Sequence, residues 1–461
     1  MIEKKLAKKV LNLLLESGGD YSEIYAQKRN LNHIKLENSK IENITTGFEL
    51  GCGLRIIHKE STFFAYVDSI EIEKIMDAAR VLKSALDSSS KSKILDLTSK
   101  KPGFEMEAKK RPSCFSQSEK SELLFKADSS SRNFSPEIVQ VTARISDLED
   151  EIFIATSENT SVSASSSKVF MAVNAVAGRG NEIRTGYKSI GGTGGFELFL
   201  KKSPEELSFE AARMAVAMLD AVNAPSGSYP VVIGPAFGGV IFHEACGHGL
   251  EADSIIKDAS VYKDKIGKKI ASTCVTAIDD ATLPYHWGSY LFDDEGYNSC
   301  RNTLIKDGVL LKYICDYKSS KKLKIDISGN ARRQSYKDIP LPRMSNTYID
   351  TGKDKPELII NSVKNGIFAK EFSGGQVDPA TGDFVFGISE GYFIKNGTVS
   401  DPIKGATLIG NGPEILNKIE AVADDLDFAP GFCGKGGQSV SNEVGQPTLL
   451  VSSLTVGGTG I

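Results

Sequence analysis

The stretch IFHEACGHGLEAD (residues 241–253) carries the most informative pattern in the chain. The protein has five histidines, and two of them, His243 and His248, lie five residues apart with Glu244 beside the first. A hydrolytic zinc site needs two neutral imidazoles that bind the ion and a carboxylate, not itself a ligand, that takes a proton from water. The trio has this composition, although an ordinary hydrogen-bonded histidine is the commoner role for any one such residue.

The spacing of the two histidines is one residue longer than in the zinc motif H-E-x-x-H. On a regular α-helix, residues five apart differ by roughly 140° in azimuth, so both rings could not reach one ion. A π-bulge would absorb the extra residue, and Gly247 would let the backbone leave helical geometry. The sequence therefore predicts a helix that is distorted around residues 245–247.

An apolar run, VVIGPAFGGVIF (231–242), leads directly into this motif. His243 and Glu244 are therefore expected to begin in a well-buried position. Burying such polar groups without partners is costly, because they lose their hydrogen bonds to water. A bound metal ion would explain why His243 and Glu244 occupy a buried position.

A third ligand is expected, because catalytic zinc usually has three protein ligands and one position open for water. The residues in and beyond the motif that could supply it are Cys246, Glu251, Asp253, His286 and Cys433. Cys246 lies on a different side of the helix and is predicted to pack in the core. Cys433 lies in the glycine-rich segment GFCGKGGQ, where Lys435 would favour the thiolate that a metal binds. The residues alone leave Cys433 and Glu251 as alternatives.

A Pro/Gly/Ser-rich segment, NAPSGSYP (223–230), indicates a domain boundary. With 461 residues, the chain is long enough for two or three domains. We expect an N-terminal α+β domain over 1–224 and a C-terminal domain that carries the metal motif over 225–461. Both are predicted to be built on largely antiparallel sheets with flanking helices.

Local patterns place the elements of the N-terminal region. Strands are predicted over 23–35, 51–57 and 63–67, and an alternating pattern rich in Val, Ile, Thr and Ser predicts long antiparallel strands over 138–184. Apolar residues at helical spacing predict helices near the N-terminus and over 72–86. Ser203, Pro204 and Glu206 predict the start of a further helix. SSSKSK (88–93) is predicted to be a solvated loop.

The C-terminal region is predicted to be rich in strands. Asp307-Gly308 and Asn396-Gly397 each lie between β-prone segments and predict tight hairpins. A surface helix is predicted over 413–425, and the chain ends in a β-prone segment over 447–456.

Composition excludes several classes of function. A net charge of −4, with 25% charged residues, gives no basic signature of a nucleic-acid-binding protein. The longest apolar run has 12 residues, too few to span a bilayer, and the N-terminus does not resemble a signal peptide. Seven scattered cysteines without a C-x-x-C pair favour a reducing compartment over a disulfide framework. We therefore expect a cytoplasmic protein without membrane or nucleic-acid partners.

Several blocks of the C-terminal region resemble the TldD/PmbA family of peptidases, and in particular its metal-bearing TldD-type members. In chain order the blocks are HEACGHGLEAD (243–253), DDEG (293–296), ARRQSY (331–336), PRMSNTY (342–348), GGQVDPATGDFVFGISEGYFI (374–394) and CGKGGQ…VGQPTLLVSSLTVGGT (433–459). The N-terminal region is similar only through LGCGLRI (50–56) and its layout.

This resemblance implies a zinc metallopeptidase whose catalytic domain is the C-terminal one. It implies one zinc ion per chain, with His243, His248 and Cys433 as ligands and Glu244 as the general base on the zinc-bound water. The implied substrates are short or unfolded peptides, such as antitoxins and leader peptides. A dimer is implied as well, either a homodimer or a heterodimer with a PmbA-like subunit, in which the active site is enclosed.

Two other functions compete with this interpretation. One is a non-catalytic regulatory or scaffold subunit with a vestigial motif, although the presence of Glu244 disfavours it. The other is a metal-dependent amidase that acts on a small molecule, since the same zinc chemistry serves both reactions and only the pocket differs.

Overall fold

The computed structural model describes residues 1–16, 18–86, 94, 96–378 and 380–459. The predicted loop at 88–93 lies outside the described residues. The prediction of an α+β fold built on largely antiparallel sheets with flanking helices is confirmed.

The N-terminal region forms a seven-stranded sheet. Its strands are β1 (Tyr21–Glu37), β2 (Lys40–His58), β3 (Ser61–Val67), β4 (Thr98–Ser99), β5 (Ile138–Thr156), β6 (Thr160–Arg179) and β7 (Glu182–Thr193). They are ordered β3-β2-β1-β5-β6, with β4 and β7 paired to β6. The long strands are antiparallel throughout, and the short β4 runs parallel to β6.

β2 is much longer than the predicted strand over 51–57. Its first half is mostly exposed and its second half is buried. The prediction recovered only the buried half, because an exposed half-strand lacks the apolar alternation that marks a strand in a sequence. The exposed half of β2 is held in a strand conformation by its pairing with β1, which extends along the whole length of β2.

Four helices cover one face of this sheet. They are α1 (Lys4–Leu15), α2 (Ile72–Ser84), α3 (Gln117–Phe134) and α4 (Pro204–Ala217). Ile24 at one end of β1 packs with α1 and α2, and Ile34 at the other end packs with α3 and α4. These two residues share a face because side chains alternate along a strand. The predicted start of α4 is confirmed, since Ser203 and Glu206 form a capping box.

Sixteen further described strands follow β7 along the chain. They are β8 (Val222–Asn223), β9 (Gly227–Ile233), β10 (Ala277–Asp280), β11 (Arg301–Lys306), β12 (Val309–Leu310), β13 (Ala331–Arg332), β14 (Leu341–Pro342), β15 (Asn346–Ile349), β16 (Asn365–Val377), β17 (Asp383–Lys395), β18 (Thr398–Lys404), β19 (Thr407–Asn411), β20 (Ile419–Val422), β21 (Asp427–Lys435), β22 (Gln438–Gln446) and β23 (Leu449–Gly457).

These strands form three sheets. One is ordered β12-β11-β10-β15-β22-β21, and β13 pairs with β14. The largest is ordered β16-β9-β23-β19-β17-β18-β8, with β20 paired to β23. β16 also pairs with β17, so five strands of this sheet close into a ring. The helices of the region are α5 (Val240–Ala245), α6 (Ala252–Ile256), α7 (Tyr317–Leu323), α8 (Pro356–Ser362) and α9 (Gly412–Asn417).

Both predicted hairpins are confirmed. Asp307 and Gly308 have φ of 48° and 81°, and Asn396 and Gly397 have φ of 49° and 75°. Positive φ at both central residues is the conformation of a type I′ turn. The predicted helix over 413–425 is wrong beyond its first turns, because α9 ends at Asn417 and β20 follows it. Pairing of β20 with β23 overrides the helical propensity there.

A buried cluster of charges joins the two regions. Arg55 donates to Glu23 at 2.5 Å and to Glu295 at 2.6 Å, and Arg333 donates to Glu23 at 2.5 Å. All four side chains are at most 2% exposed. Burial raises the pKa of Glu295 to about 7, against the opposing effect of Arg55. Glu23 and Arg55 come from the N-terminal region and Glu295 and Arg333 from the C-terminal region, so two of the three ion pairs form only when both regions are in place.

The boundary between 224 and 225 falls in the short segment that separates β8 from β9. The two-domain division stays a prediction. Among the helices that the structure describes, none is long and apolar enough to cross a bilayer.

Candidate metal centre

The helix that carries the histidine motif is interrupted, as predicted. α5 ends at Ala245, and Cys246 leaves helical geometry with φ −129° and ψ −50°. A 3₁₀ turn follows over Gly247–Leu250. The extra residue of the motif is therefore accommodated by a helix break followed by a 3₁₀ turn, and not by the π-bulge that the sequence suggested. The ring centroids of His243 and His248 consequently lie 4.9 Å apart.

Gly247 has a different role from the predicted one. The departure from helical geometry occurs at Cys246, and Gly247 does not have a positive φ. A Cβ atom at Gly247 would lie 2.2 Å from Sδ of Met344. The glycine is needed because Met344, within the buried core, packs directly against the turn.

Cys433 reaches the same place from a distant part of the chain. It lies on β21, whose hairpin with β22 turns at Gly436 and Gly437 with φ of 60° and 77°. One nitrogen or sulfur atom from each of His243, His248 and Cys433 lies within 4.8 Å of the other two. Of the candidates for the third ligand, the structure therefore brings Cys433 to the two histidines.

The distance between one pair of these atoms is close to the separation expected in a zinc site. Nε2 of His248 lies 3.4 Å from Sγ of Cys433. Zinc bond lengths of about 2.3 Å to sulfur and about 2.1 Å to nitrogen would place the two ligand atoms of a tetrahedral site about 3.6 Å apart. In the described part of the chain, Nδ1 of His243 is buried without a hydrogen-bond partner. A buried imidazole nitrogen without a hydrogen-bond partner and a nearby cysteine sulfur are both suitable ligands for a zinc ion.

The electrostatics of the site favour a thiolate. Burial of the Cys433 thiol would raise its pKa, but the imidazoles of His243 and His248 outweigh burial and lower the pKa to about 4. The expected contribution of Lys435 is not observed. Its ammonium group donates to Glu251 at 2.9 Å and to Asp253 at 2.6 Å.

Glu251 lies behind His248. Its Oε2 accepts a hydrogen bond from Nδ1 of His248 at 2.9 Å, and the carboxylate is fully buried. Burial would raise the pKa of Glu251, but the charges of His248 and Lys435 outweigh burial and lower the pKa to about 2. Glu251 thus fixes the tautomer and orientation of the imidazole, a role that outer residues commonly play at metal sites.

The remaining candidates have other partners. Asp253 accepts from Lys435, and Nδ1 of His286 pairs with Glu443 at 2.6 Å. Cys246 is fully buried in the hydrophobic core, and burial raises the pKa of its thiol to about 12. Its predicted packing role agrees with this position.

Glu244 lies beside the three clustered residues without joining them. Its Oε2 is 3.9 Å from Nε2 of His248, and its side chain is 26% exposed, compared with 13% for His248. A carboxylate that is close to the imidazoles and still reaches solvent can exchange a proton with water at the site.

Two supporting residues were not predicted. Glu251 had been weighed only as a ligand, and its spacing of three residues from His248 could have indicated a pair on one turn. Arg343 is fully buried and donates to the carbonyl oxygen of Cys433. No local pattern marks Arg343, because the contact joins segments 90 residues apart.

Family models match nearly the whole chain. They are the PmbA/TldA metallopeptidase domain 1 over residues 22–87, the central domain over 110–219 and the C-terminal domain over 226–458. The C-terminal match contains all of the clustered residues.

Curated relatives are similar over almost their full length. The Metalloprotease TldD homolog of Buchnera aphidicola (strain Sg) is 37% identical, covering 95% of this chain and 93% of the relative. The protein of the same name from Haemophilus influenzae is 35% identical, with coverage of 98% and 95%. The Zinc metalloprotease TldD homolog of Saccharolobus solfataricus is 26% identical, with coverage of 96% and 98%.

Solved structures share the fold. A protein described as a proposed modulator of DNA gyrase from Thermotoga maritima has a TM-score of 0.82 at 21% identity, covering 98% of this chain and 99% of that one. TldE from Thermococcus kodakarensis has a TM-score of 0.79 at 19% identity, with coverage of 98% and 100%.

Proposed function

The chain belongs to the PmbA/TldD metallopeptidase family, and from that premise we propose that it is a zinc-dependent peptidase acting on short or unfolded peptides. The observation that carries the proposal is the cluster of His243, His248 and Cys433, with Glu244 beside it. Two imidazoles and a thiolate leave one position of a tetrahedral ion open for water, as hydrolytic zinc sites require.

In this proposal His243, His248 and Cys433 hold one zinc ion. Bound zinc would supply Lewis-acid chemistry, polarising a peptide carbonyl and acidifying water. The buried nitrogen of His243 and the low pKa of the Cys433 thiol support the assignment. Glu251 keeps the His248 ring in position by accepting its Nδ1 proton.

Glu244 acts as the general base. Its carboxylate accepts a proton from the attacking water and then delivers that proton to the leaving amine. About a quarter of the Glu244 side chain is exposed, which allows this proton exchange with water. Among its described contacts, the nearest charged partner is His248 at 3.9 Å, so the carboxylate is available to accept a proton.

The accessibility of the site supports an extended substrate. The side chain of Glu244 is 26% exposed, that of His248 is 13% exposed, and Cys433 is 5% exposed. The limited exposure of these side chains supports access by a single extended chain more than by a folded protein surface. We further propose that the protein forms a dimer that encloses the site, either with itself or with a PmbA-like subunit. The fold shared with TldE supports this arrangement.

We also propose a cytoplasmic location. A ligand thiolate such as that of Cys433 is preserved in a reducing compartment, and the scattered cysteines of the sequence suit one.

Peptide digestion tests the proposed function. The zinc-loaded protein and its Glu244→Gln variant are incubated with one substrate protein in native and unfolded forms, and products are followed by mass spectrometry. We expect several cleavages in the unfolded form, none in the native form and none by the variant. Absence of any cleavage would support a scaffold subunit, and equal cleavage of both forms would contradict the enclosed site. Light scattering after size exclusion measures the dimer directly.

A further inference from the structure

A cavity of about 240 Å³ lies between β6 and the β21–β22 hairpin. Lys168 of β6 and Ser441 of β22 line it, and Trp287 and Phe432 supply aromatic walls. Phe432 and Ser441 are cross-strand partners, and Cys433 is the next residue along. Because successive residues of a strand point to opposite faces, Phe432 and Ser441 leave the hairpin on the face opposite Cys433. His243, His248 and Cys433 do not line the cavity.

Two cationic side chains converge on one hydroxyl in this cavity. Lys168 donates to Oγ of Ser441 and to the carbonyl of Trp287 at 2.8 Å. Arg332 donates to Oγ of Ser441 at 3.3 Å, to its carbonyl at 2.6 Å and to the carbonyl of Met344 at 2.7 Å. Within the described residues, neither Lys168 nor Arg332 has a carboxylate partner, and all of these acceptors are neutral.

The carboxylates of the cavity wall are already engaged elsewhere. Asp150 forms two hydrogen bonds of 2.8 Å with Arg29. Asp294 accepts the backbone N–H of Arg333 at 2.8 Å. Asp293 accepts backbone N–H groups, including that of Ala331 at 3.2 Å. None of the three compensates Lys168 and Arg332 by direct contact.

The protonated form of Lys168 is consequently disfavoured. Burial, with a contribution from the charge of Arg332, lowers the pKa of Lys168 to about 7. Burial lowers the pKa of Arg332 as well. Two like charges held together in a buried site are costly unless an opposite charge joins them. An anion placed beside them would offset the cost of burying the two charges and the repulsion between them.

We propose that this cavity binds a small organic carboxylate, with its anionic group between Lys168 and Arg332 and its apolar body against Trp287 and Phe432. A carboxylate can accept from the Arg332 guanidinium protons that Met344 and Ser441 leave unused, and from the remaining proton of the Lys168 ammonium group. The aromatic walls and the volume favour an aromatic or branched aliphatic body. The carboxylate could belong to a free acid or to the C-terminus of a short peptide.

Fluorescence reports on this cavity directly, because Trp287 is the single tryptophan of the chain. The full-length zinc-loaded protein is titrated with phenylacetate, and with neutral phenylacetamide as the control ligand. We expect a saturable change in Trp287 emission with phenylacetate and at least tenfold weaker binding of phenylacetamide. Equal binding of the two ligands, or no saturable change, would overturn the proposal.

The matched variants are Lys168→Met and Lys395→Met, each of which replaces one lysine by methionine. Lys395 is exposed and pairs with Asp401 outside the cavity. We expect Lys168→Met to weaken phenylacetate binding at least tenfold and Lys395→Met to leave it unchanged. Unchanged affinity in Lys168→Met would place the ligand elsewhere, for instance on the zinc ion, and would refute the assignment.

Thermal melting of the unmodified protein keeps the test independent of the variants. Phenylacetate should raise Tm at pH 6 and phenylacetamide should not, and equal shifts would contradict the proposal.

Gly-Gly-Phe and its C-terminal amide distinguish the sources of the carboxylate. Competition by the free peptide alone would identify a peptide C-terminus, whereas competition by neither peptide would identify a free acid. The binding assays do not depend on peptidase activity, so the proposed function and this site can fail separately.

Discussion

Glu251 holds the imidazole of His248 through Nδ1 at 2.9 Å, which leaves Nε2 only 3.4 Å from Sγ of Cys433. This arrangement separates the two residues that the sequence had left as alternatives for the third ligand. In the proposed zinc site, Cys433 is the third ligand and Glu251 orients His248. The distinction can be measured.

The first prediction concerns the orienting role of Glu251. We expect Glu251→Gln to weaken zinc binding by about 10–100-fold without unfolding the protein, because the amide no longer fixes the His248 tautomer. Competition with a chelator gives the zinc Kd. Asp253→Asn is the control, since it removes the other carboxylate partner of Lys435 without touching His248. Equal weakening by both variants would show that Lys435, and not His248, transmits the effect.

The second prediction concerns the ligands. Cys433→Ser and His248→Ala should each lose most of the bound zinc, measured as zinc per chain after dialysis. Cys246→Ser should retain zinc, because Cys246 lies in the core away from the cluster. Full zinc occupancy in Cys433→Ser, together with loss in Glu251→Ala, would make Glu251 the third ligand.

A third prediction separates binding from catalysis. Glu244→Gln should keep one zinc per chain and lose peptide hydrolysis at least ~100-fold, because an amide cannot accept a proton from water. Glu420→Gln, at an exposed position on β20, is the matched control and should hydrolyse normally. Near-normal activity in Glu244→Gln would identify another residue as the base.

The fourth prediction tests the spacing of the motif. Deleting Ala245 recreates H-E-x-x-H but removes the residue whose carbonyl accepts from Tyr262. We expect the deletion to lose both zinc and activity, because the rest of the site is built around the break at Cys246. Ala245→Gly keeps the spacing and should remain active, with a stability cost of about 1 kcal/mol. An active deletion variant would mean that the break is dispensable.

The fifth prediction concerns the pH dependence of carboxylate binding near Lys168. The charged groups that influence it are Arg332, Arg29, Asp150 and Asp294. Since the pKa of Lys168 is lowered to about 7, the ammonium form dominates below pH 7 and is lost as pH rises. Phenylacetate stays ionised from pH 6 to 9, so its affinity should decline above pH 7, by up to about tenfold per pH unit. A flat profile in the Trp287 titration would exclude Lys168 as the titrating group.

The local features of the fold were readable from the sequence. The capping box at Ser203, the hairpins at Asp307 and Asn396 and the broken helix after Glu244 each depend on residues close together in the chain. The second half of the predicted helix over 413–425 was wrong because pairing of β20 with β23 decides its structure. Strand propensity at such a place depends on the partner strand, and a local pattern does not reveal the partner.

The candidate site divides in the same way. His243, Glu244 and His248 lie within six residues, so their pattern suggested a metal site on its own. Cys433 joins them only through the resemblance or the fold, since it lies 185 residues beyond His248. Lys168 and Arg332 are brought together by tertiary packing alone, and neither has a local pattern that indicates a binding site.

The buried charges of Glu23, Arg55, Glu295 and Arg333 have a consequence for how the molecule comes apart. Separating the N-terminal sheet from the C-terminal sheets would leave Glu295 without its arginine and Arg333 without its glutamate. If only one region unfolds, the Glu295 carboxylate or the Arg333 guanidinium loses its buried partner, which carries an electrostatic cost. This cost does not arise when both regions unfold together. We therefore expect the two regions to unfold together, and the C-terminal region produced alone would hold Glu295 and Arg333 without these partners.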